Sequence, residues 1–347
     1  MTLIQVNDNP TRWFLADHPI RQADRYFNEA FAGSYPAYWV LEKKRGGWHQ
    51  PESLKKLEKL LNEIESMPEV GKVTGLPALV NKIHRELRQG KVNSRFPSSA
   101  RAVKQYLFLY ENSGNPQDLF RIVNNKGSEV NVWFSLKSGD NRVMARVKRK
   151  AEQLLNNSDI KLKKQPRWGG VTVVNLTWQN VMVRGMAWAL AGSFVVIFFM
   201  MLFLFRSIRW ALLSLVPLTT TLVLVYGLVG WFGKDYDMPV AVLSALSIGI
   251  AVDFAIHYIQ RTRQIMHKHG PWPEIRERVS GEPSRAIARN AVVIAVGFSP
   301  LLLAPLRPYV TVGVFMILIM VIAGTTTLIG LFSLFEVLHP LLPDETE

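Results

Sequence analysis

Five long apolar stretches follow one another in the C-terminal half of the chain, and they constrain its fold more than any other feature. A helix needs about 20 apolar residues to cross a hydrocarbon core about 30 Å thick. Buried helices of soluble proteins rarely reach this length, so the sequence predicts an α-helical polytopic membrane domain over residues 181–340. The predicted spans cover about residues 186–205, 210–232, 238–260, 288–306 and 309–336, the last with a possible bend at Gly324.

Basic residues are concentrated in two of the loops between these spans. Arg206 and Arg209 flank the first loop, whereas the second, residues 233–237, holds one lysine against two aspartates. The third loop is the most basic, with Arg261, Arg263, Lys268, Arg276, Arg278, Arg285 and Arg289. By the positive-inside rule, the first and third loops and the tail 341–347 are predicted to face the cytoplasm. Residues 1–180 are then predicted to lie on the periplasmic side of the inner (plasma) membrane.

The N-terminal segment MTLIQVNDNPTRWF has no apolar core of a signal peptide and no cleavage site, so no signal peptide is expected. A periplasmic domain needs a preceding segment to translocate it. The sequence therefore predicts that the chain is one part of a larger protein, either a split gene product or a truncated reading frame.

The patterns of the N-terminal half predict an α+β domain. Residues 37–42, 70–76 and 129–136 have strand patterns, and a further strand is expected near residues 171–174. Helical patterns cover Pro51–Ser66 and Asp140–Asn156, and helical material is expected between residues 77 and 124. The order strand–helix–strand thus occurs twice, which fits a ferredoxin-like sandwich of split βαβ repeats. Four aromatic residues could line a hydrophobic substrate path or simply pack in the core: Trp39, Trp48, Trp133 and Phe134.

Asp253 is the only carboxylate in the third predicted span. It lies about eight residues, or roughly 12 Å, before the cytoplasmic end of that span. A carboxylate near the bilayer centre costs about 2.5–3.5 kcal/mol, which is tolerated when the group is paired, protonated or facing a wet cavity. At helical spacing, Ala245, Gly249, Asp253 and His257 share one i, i+4 ridge. The small residues on this ridge would let a facing helix approach closely.

This arrangement predicts a proton relay in which His257 hydrogen-bonds Asp253 or exchanges a proton with it. The alternative is a structural aspartate, bonded to a serine or threonine of a neighbouring helix. The possible partners on other spans are Ser299, Thr325, Thr326 and Thr327. Threonines in membrane helices often bond to their own backbone, so function and packing remain open for these residues.

Several classes of function are not supported by any motif. The chain has no cysteine, no phosphate-binding G-x-x-x-x-G-K-[ST] loop, no H-E-x-x-H helix and no serine elbow. The net charge of +14 lacks the interleaved aromatic residues of a nucleic-acid groove. We expect no enzyme activity, no catalytic residues, no cofactor, no metal site and no nucleic-acid partner.

The stretch SIGIAVDFAIHYIQR resembles the G-x-x-x-D-[YF] signature of exporters of the RND superfamily. It is most similar to their MMPL-like branch, which is related to sterol-sensing domains (SSD). The segments GFSPLLLAPLRPYVTVGVF, NDNPTRWF and HPIRQADRYFNEAF also resemble that group. The likeness extends across essentially the whole chain.

The resemblance implies a periplasmic porter domain followed by the last five helices of the second half of a proton-antiport efflux protein. Asp253 would then face a helix of the first half, which this chain does not encode. The aromatic residue after the aspartate is Phe254, where proton-coupled relatives often have tyrosine, so Tyr258 or His257 would have to supply the missing polar group. The implied partners are membrane lipids, a hydrophobic substrate, and the N-terminal half of the transporter or further copies of the chain.

The sequence favours the C-terminal portion of a proton-driven exporter of lipids or other hydrophobic compounds. Two alternatives stay open. The helices could form a sterol-sensing-type regulatory module that binds lipid, or the chain could be a SecDF-like accessory subunit that assists protein export.

Overall fold

The computed structural model describes residues 6–44, 47–90, 94–113 and 115–339, except for the side chains of Ser244, Ala245 and Glu282. The chain divides into two compact units. Residues 9–11 and 16–178 form the first, called here the sheet unit. Residues 6–8, 12–15 and 179–339 form the second, called here the membrane unit. The predicted cytoplasmic tail, 341–347, lies outside the described residues.

The sheet unit contains one four-stranded antiparallel sheet. Its strands are β1 (Tyr35–Glu42), β2 (Val70–Thr74), β3 (Glu129–Leu136) and β4 (Arg167–Gly169), in the order β2-β3-β1-β4. Strands β1 and β3 pair along their whole length, from Tyr35 opposite Leu136 to Glu42 opposite Glu129. Alternate residues of both strands are buried, as expected for a sheet with one covered face.

Six α-helices accompany this sheet in the described part of the sheet unit. They are α1 (Pro19–Ala30), α2 (Pro51–Glu65), α3 (Leu76–Leu87), α4 (Ala100–Ser113), α5 (Pro116–Phe120) and α6 (Asn141–Asn156). Helix α2 buries its leucine stripe, and α6 buries residues such as Met144 and Val147 in the same apolar core. The helices predicted at 51–66, at 140–156 and between 77 and 124 are therefore present.

Three of the four aromatic side chains considered for a substrate path lie in this core. Trp39, Trp48 and Phe134 are almost completely buried, and Trp39 stacks on Trp168 with 5.0 Å between ring centroids. Trp133 contacts the ring of Tyr38 instead, at 5.1 Å. These contacts support the packing interpretation.

The strand predicted at residues 171–174 is wrong. Strand β4 ends at Gly169, and a long helix, α7 (Val171–Phe205), begins two residues later. Gly170 turns the chain with φ of +95°, a conformation that glycine adopts without strain. The β-branched residues 171–174 thus form the first turn of a helix that continues into the apolar region, where helix propagation overrides their strand preference.

The described part of the membrane unit holds five helices that are long and apolar enough to cross a membrane. They are α7, α8 (Ile208–Trp231), α9 (Met238–His269), α10 (Trp272–Phe298, continued by a 3₁₀ turn to Leu303) and the segment Arg307–Leu338. The last comprises α11 (Arg307–Thr325), a π-helical turn (Thr326–Leu331) and α12 (Phe332–Leu338). The π-helical turn begins two residues after Gly324, the position at which the sequence allows a bend.

The segment between the third and fourth predicted spans, residues 261–287, is mostly helical. Helix α9 continues to His269, α10 starts at Trp272, and only Gly270, with φ of +97°, and Pro271 separate them. The segment is helical because its apolar residues follow a helical spacing. Trp272, Ile275 and Val279 are all buried in the bundle core.

The hydroxyl of Tyr35 gives a testable pH dependence in the sheet unit. It donates to Asp24 Oδ1 at 2.6 Å and lies 2.8 Å from Thr11 Oγ1. Burial, together with the hydrogen bond to Asp24, raises the pKa of Tyr35 to about 12. We expect Tyr35→Phe to lower the free energy of unfolding by about 1 kcal/mol at pH 8.

The sign of the pH effect follows from the raised pKa. The stabilisation is fully present below the unfolded-state pKa of about 10 and is lost as the pH rises toward about 12. Chemical denaturation of the full chain at pH 8, 10 and 11 should therefore show the difference between wild type and Tyr35→Phe shrinking. A difference that stays constant over this range would contradict the assignment.

Candidate functional site

Asp253 lies midway along α9, a helix without interruption from Met238 to His269. Asp237 caps its start by accepting a hydrogen bond from the backbone N–H of Val240 at 3.2 Å. One face of α9 packs against α8, α10 and α11. Asp253 does not lie on that face, because its neighbours Val252 and Phe254 are buried while its own side chain is 53% exposed.

The carboxylate is paired with His257 one turn further along the helix. His257 Nε2 lies 3.3 Å from Asp253 Oδ1, within ion-pair distance, and the histidine side chain is 65% exposed. The i, i+4 spacing therefore places the two groups together as the sequence predicts. No other helix in the described part of the chain covers the side chains of Asp253 and His257, which are both more than half exposed.

Asp253 and His257 belong to a continuous exposed stripe on α9, called here the open face. Its members recur at intervals of three or four residues, as one side of a helix requires. They are Val242, Leu246, Gly249, Asp253, His257, Gln260 and Gln264. A Cβ atom added at Gly249 would meet no atom within 4 Å, so no helix of the described chain lies against it. Ala245 is helical, but its side chain lies outside the described residues.

Tyr258 is not close to this pair. Its side chain is completely buried on the opposite side of α9 and stacks on Phe335, with 6.0 Å between ring centroids. Its hydroxyl has no hydrogen-bond partner among the described residues. Five residues along a helix amount to a rotation of about 140°, so Tyr258 and Asp253 point to different sides.

In the described contacts, the hydroxyl groups of the neighbouring spans do not hydrogen-bond Asp253. Ser299 donates to the carbonyl of Val296 at 2.8 Å, and Thr325 donates to that of Val321 at 2.7 Å. Thr326 lies 2.9 Å from the hydroxyl of Thr221 on α8, a contact that sequence reasoning missed. Thr327 is buried, and its hydroxyl has no partner in the described part of the chain.

A cavity of about 330 Å³ opens beside His257, between α9 and α10. Its polar lining includes Arg261 and Asn290, neither of which sequence reasoning selected. Its apolar lining is Phe254, Pro283, Ala286 and Ile287. Pro283, inside α10, is the one sequence feature that could have indicated this cavity. Proline within a helix removes a backbone hydrogen bond and disturbs regular packing. The cavity therefore places the His257 imidazole beside polar groups, one of which, Arg261, lies one turn further along α9.

The described residues contain no group of three or more histidine, aspartate or glutamate side chains that could hold a metal ion. The site therefore consists of one carboxylate and one imidazole at mid-helix, with a cavity beside the imidazole. Such a pair can bind and release a proton, and its exposure on one helix face allows a second helix to cover it.

Five helices long and apolar enough to cross a membrane, together with a small antiparallel sheet, indicate a multi-pass membrane protein. The sequence model of the MMPL family matches residues 16–335, and the chain belongs to the MMPL family. The relationship that the G-x-x-x-D motif suggests is thus confirmed.

Two curated relatives show more distant similarity. A protein of Methanocaldococcus jannaschii, named as a membrane protein, is 27% identical over 109 residues, which are 31% of this chain and 28% of that protein. The toluene efflux pump membrane transporter TtgE of Pseudomonas putida is 28% identical over 109 residues, which are 31% of this chain and 10% of the transporter. The similarity thus spans less than a third of either relative.

Proposed function

We propose that the chain is part of a proton-driven inner-membrane exporter of lipids or other hydrophobic compounds, with Asp253 as its proton-carrying group. The observation that carries this proposal is the Asp253–His257 pair at mid-helix on the open face of α9. Membership of the MMPL family and the similarity to an efflux transporter support the transport class.

The exposure of the pair supports a further element of the proposal, a covering partner. A carboxylate that faced lipid near the bilayer centre would cost about 2.5–3.5 kcal/mol. A second helix lying against Gly249 would remove Asp253 from lipid and could supply a polar partner, as small residues at helix interfaces allow. We propose that this helix belongs either to the N-terminal half of the transporter or to another copy of the chain.

The proton path follows from the direction of α9. Asp253 takes up a proton from the outer side and passes it to His257, which lies one turn toward the basic end of the helix. The cavity lined by His257, Arg261 and Asn290 then offers a route for its release. Basic residues at that end support a cytoplasmic location for it in this proposal, under the positive-inside rule. Protonation of Asp253 changes the charge on the open face and hence its packing against the covering helix.

The sheet unit takes the role of a periplasmic porter domain in this proposal. Its strand order places β3 between β1 and β2, and β1 between β3 and β4, so the two strand–helix–strand segments interleave in one sheet. Split βαβ repeats would give this strand order, so the order supports the ferredoxin-like part of the proposal.

The test is an export assay in membranes that contain the full chain together with its partner half. Asp253→Asn keeps the size and polarity of the side chain but cannot carry a proton. We expect export to fall to the level of membranes without the protein. Thr325→Ala is the matched control, because Thr325 is an exposed polar residue of α11 that bonds only to its own helix in the contacts described. It should export as wild type does.

Normal export by Asp253→Asn, at wild-type protein levels, would rule out the proton-carrying role. If Asp253→Asn loses export but still binds a sterol-like lipid, the result supports transport as the function of the protein. Lipid binding without export in the wild-type protein would instead favour the sterol-sensing-type module, and copurification with translocon components would favour the SecDF-like alternative.

A further inference from the structure

A groove of about 360 Å³ lies between the last turn of α7 and the polar C-terminal part of α9, from Gln260 to Lys268. One wall consists of Leu204 and Phe205 from α7. The other wall belongs to α9 and carries two i, i+4 series of polar side chains: Gln260, Gln264 and Lys268, and Arg263 with His267. None of the seven lining residues is acidic, so the groove presents positive charge beside an apolar wall.

Arg263 fixes the geometry of this groove. Its Nη1 donates to the carbonyl oxygen of Phe205 at 3.1 Å, and its guanidinium lies 5.7 Å from the ring centroids of both Phe205 and Trp210. The arginine therefore ties α9 to the end of α7, where a cation also offsets the negative end of the helix dipole. Lys268, which is exposed, carries positive charge at the rim, and the exposed imidazole of His267 lies beside it.

The apolar wall continues along the outer surface of α7. Met200, Phe203 and Leu204 are 47%, 84% and 46% exposed, so a hydrocarbon chain can lie against them without displacing protein atoms. A small inorganic anion would use the basic rim and leave this wall without a contact. An amphipathic anion matches both the rim and the wall, and anionic phospholipids are amphipathic anions of membranes.

We propose that the groove binds an anionic phospholipid of the leaflet at the basic end of the helix bundle. The headgroup phosphate contacts Lys268 and His267, and one acyl chain lies along Leu204 and the outer side of α7. Gln260 and Gln264 also belong to the open face, so the bound lipid would border the surface that covers Asp253. The lipid thereby stabilises the end of α7 against α9. This site does not depend on the proposed transport activity.

Native mass spectrometry of the detergent-purified full chain tests the proposal, with phosphatidylglycerol and phosphatidylcholine of identical acyl chains as probes. We expect one phosphatidylglycerol to bind in preference to phosphatidylcholine. Lys268→Gln should weaken that binding about fivefold, the effect of one lysine at a membrane surface. Arg278→Gln removes the same charge from an exposed position of α10 outside the groove and should bind as wild type does.

Two further measurements separate the alternatives. Leu204→Glu places a carboxylate in the groove at a partly exposed position and should weaken phosphatidylglycerol binding more than Lys268→Gln does. Inorganic phosphate at the same concentration should not displace the lipid, and its displacement of the lipid would show a simple phosphate site. Equal losses in Lys268→Gln and Arg278→Gln, or equal binding of the two lipids, would overturn the proposal. Loss of lipid binding on assembly with the partner half would also overturn it, because a protein helix would then occupy the groove.

Discussion

Replacing Gly249 with leucine should abolish export while leaving the isolated chain folded. A side chain at this position meets open space within the described chain, since no atom lies within 4 Å of the added Cβ. Leucine is also a better helix former than glycine by nearly 1 kcal/mol. The free energy of unfolding of Gly249→Leu should therefore equal that of wild type or slightly exceed it.

The expected loss of export comes from the proposed covering helix. A small residue one turn before Asp253 lets two helices approach closely, and a leucine there would hold them apart. Gly227→Leu is the matched control, because Gly227 is also exposed in a membrane helix with no atom near its Cβ position. Export by Gly249→Leu at the wild-type rate would show that the open face contacts lipid, which is as apolar as leucine.

Replacing Gly71 with alanine should unfold the sheet unit or destabilise it by at least about 3 kcal/mol. Gly71 lies at the irregularity in β2, between Val70 and Lys72, where the pairing with β3 shifts register. A Cβ atom there would lie 1.4 Å from the backbone carbonyl oxygen of Ala32. Relief of the overlap requires a backbone shift, because no flexible side chain can move away.

Thermal unfolding and limited proteolysis of the full chain would measure this effect. Gly90→Ala serves as the control, because an added Cβ there meets no atom of the described residues within 4 Å, although φ is +77°. That variant should lose only about 1–2 kcal/mol, the cost of the left-handed conformation for alanine. Equal stability of Gly71→Ala and wild type would contradict the close approach of β2 to the residue 32 segment.

Local patterns predict much of the fold. Strand β3 coincides with the predicted residues 129–136, because alternation along a half-buried strand is unambiguous. The span predicted at 210–232 corresponds closely to α8, since Ser207 and Gly233 bound it. Hydropathy does not give the full length of a helix that continues beyond its apolar part. Helix α7 begins well before its predicted span, and α10 begins at Trp272, because polar residues extend a helix without a hydropathy signal.

In the candidate site, the contact within one helix could be predicted from the sequence, and the contacts between helices could not. The Asp253–His257 contact follows from helical spacing alone, and the structure has it at 3.3 Å. The resemblance implies that Asp253 faces a helix outside this chain, and its side chain is exposed within the chain. Spacing alone gives no such information, because residue identity does not reveal which face of a helix its neighbours cover. The hydroxyls of Ser299 and Thr325 to Thr327 depend on packing between helices, so their distance from Asp253 was not predictable. Asn290 reaches the cavity through the same packing.

Proton movement in reconstituted vesicles tests the central proposal most directly. The full chain, assembled with its partner half, is placed in vesicles that contain a pH-sensitive dye, and substrate is added under a proton gradient. The wild-type protein should show substrate-dependent proton flux, and Asp253→Asn should show none above empty vesicles. Substrate-dependent flux of wild-type size in the Asp253→Asn vesicles would contradict the account, because the proton would then travel by another group.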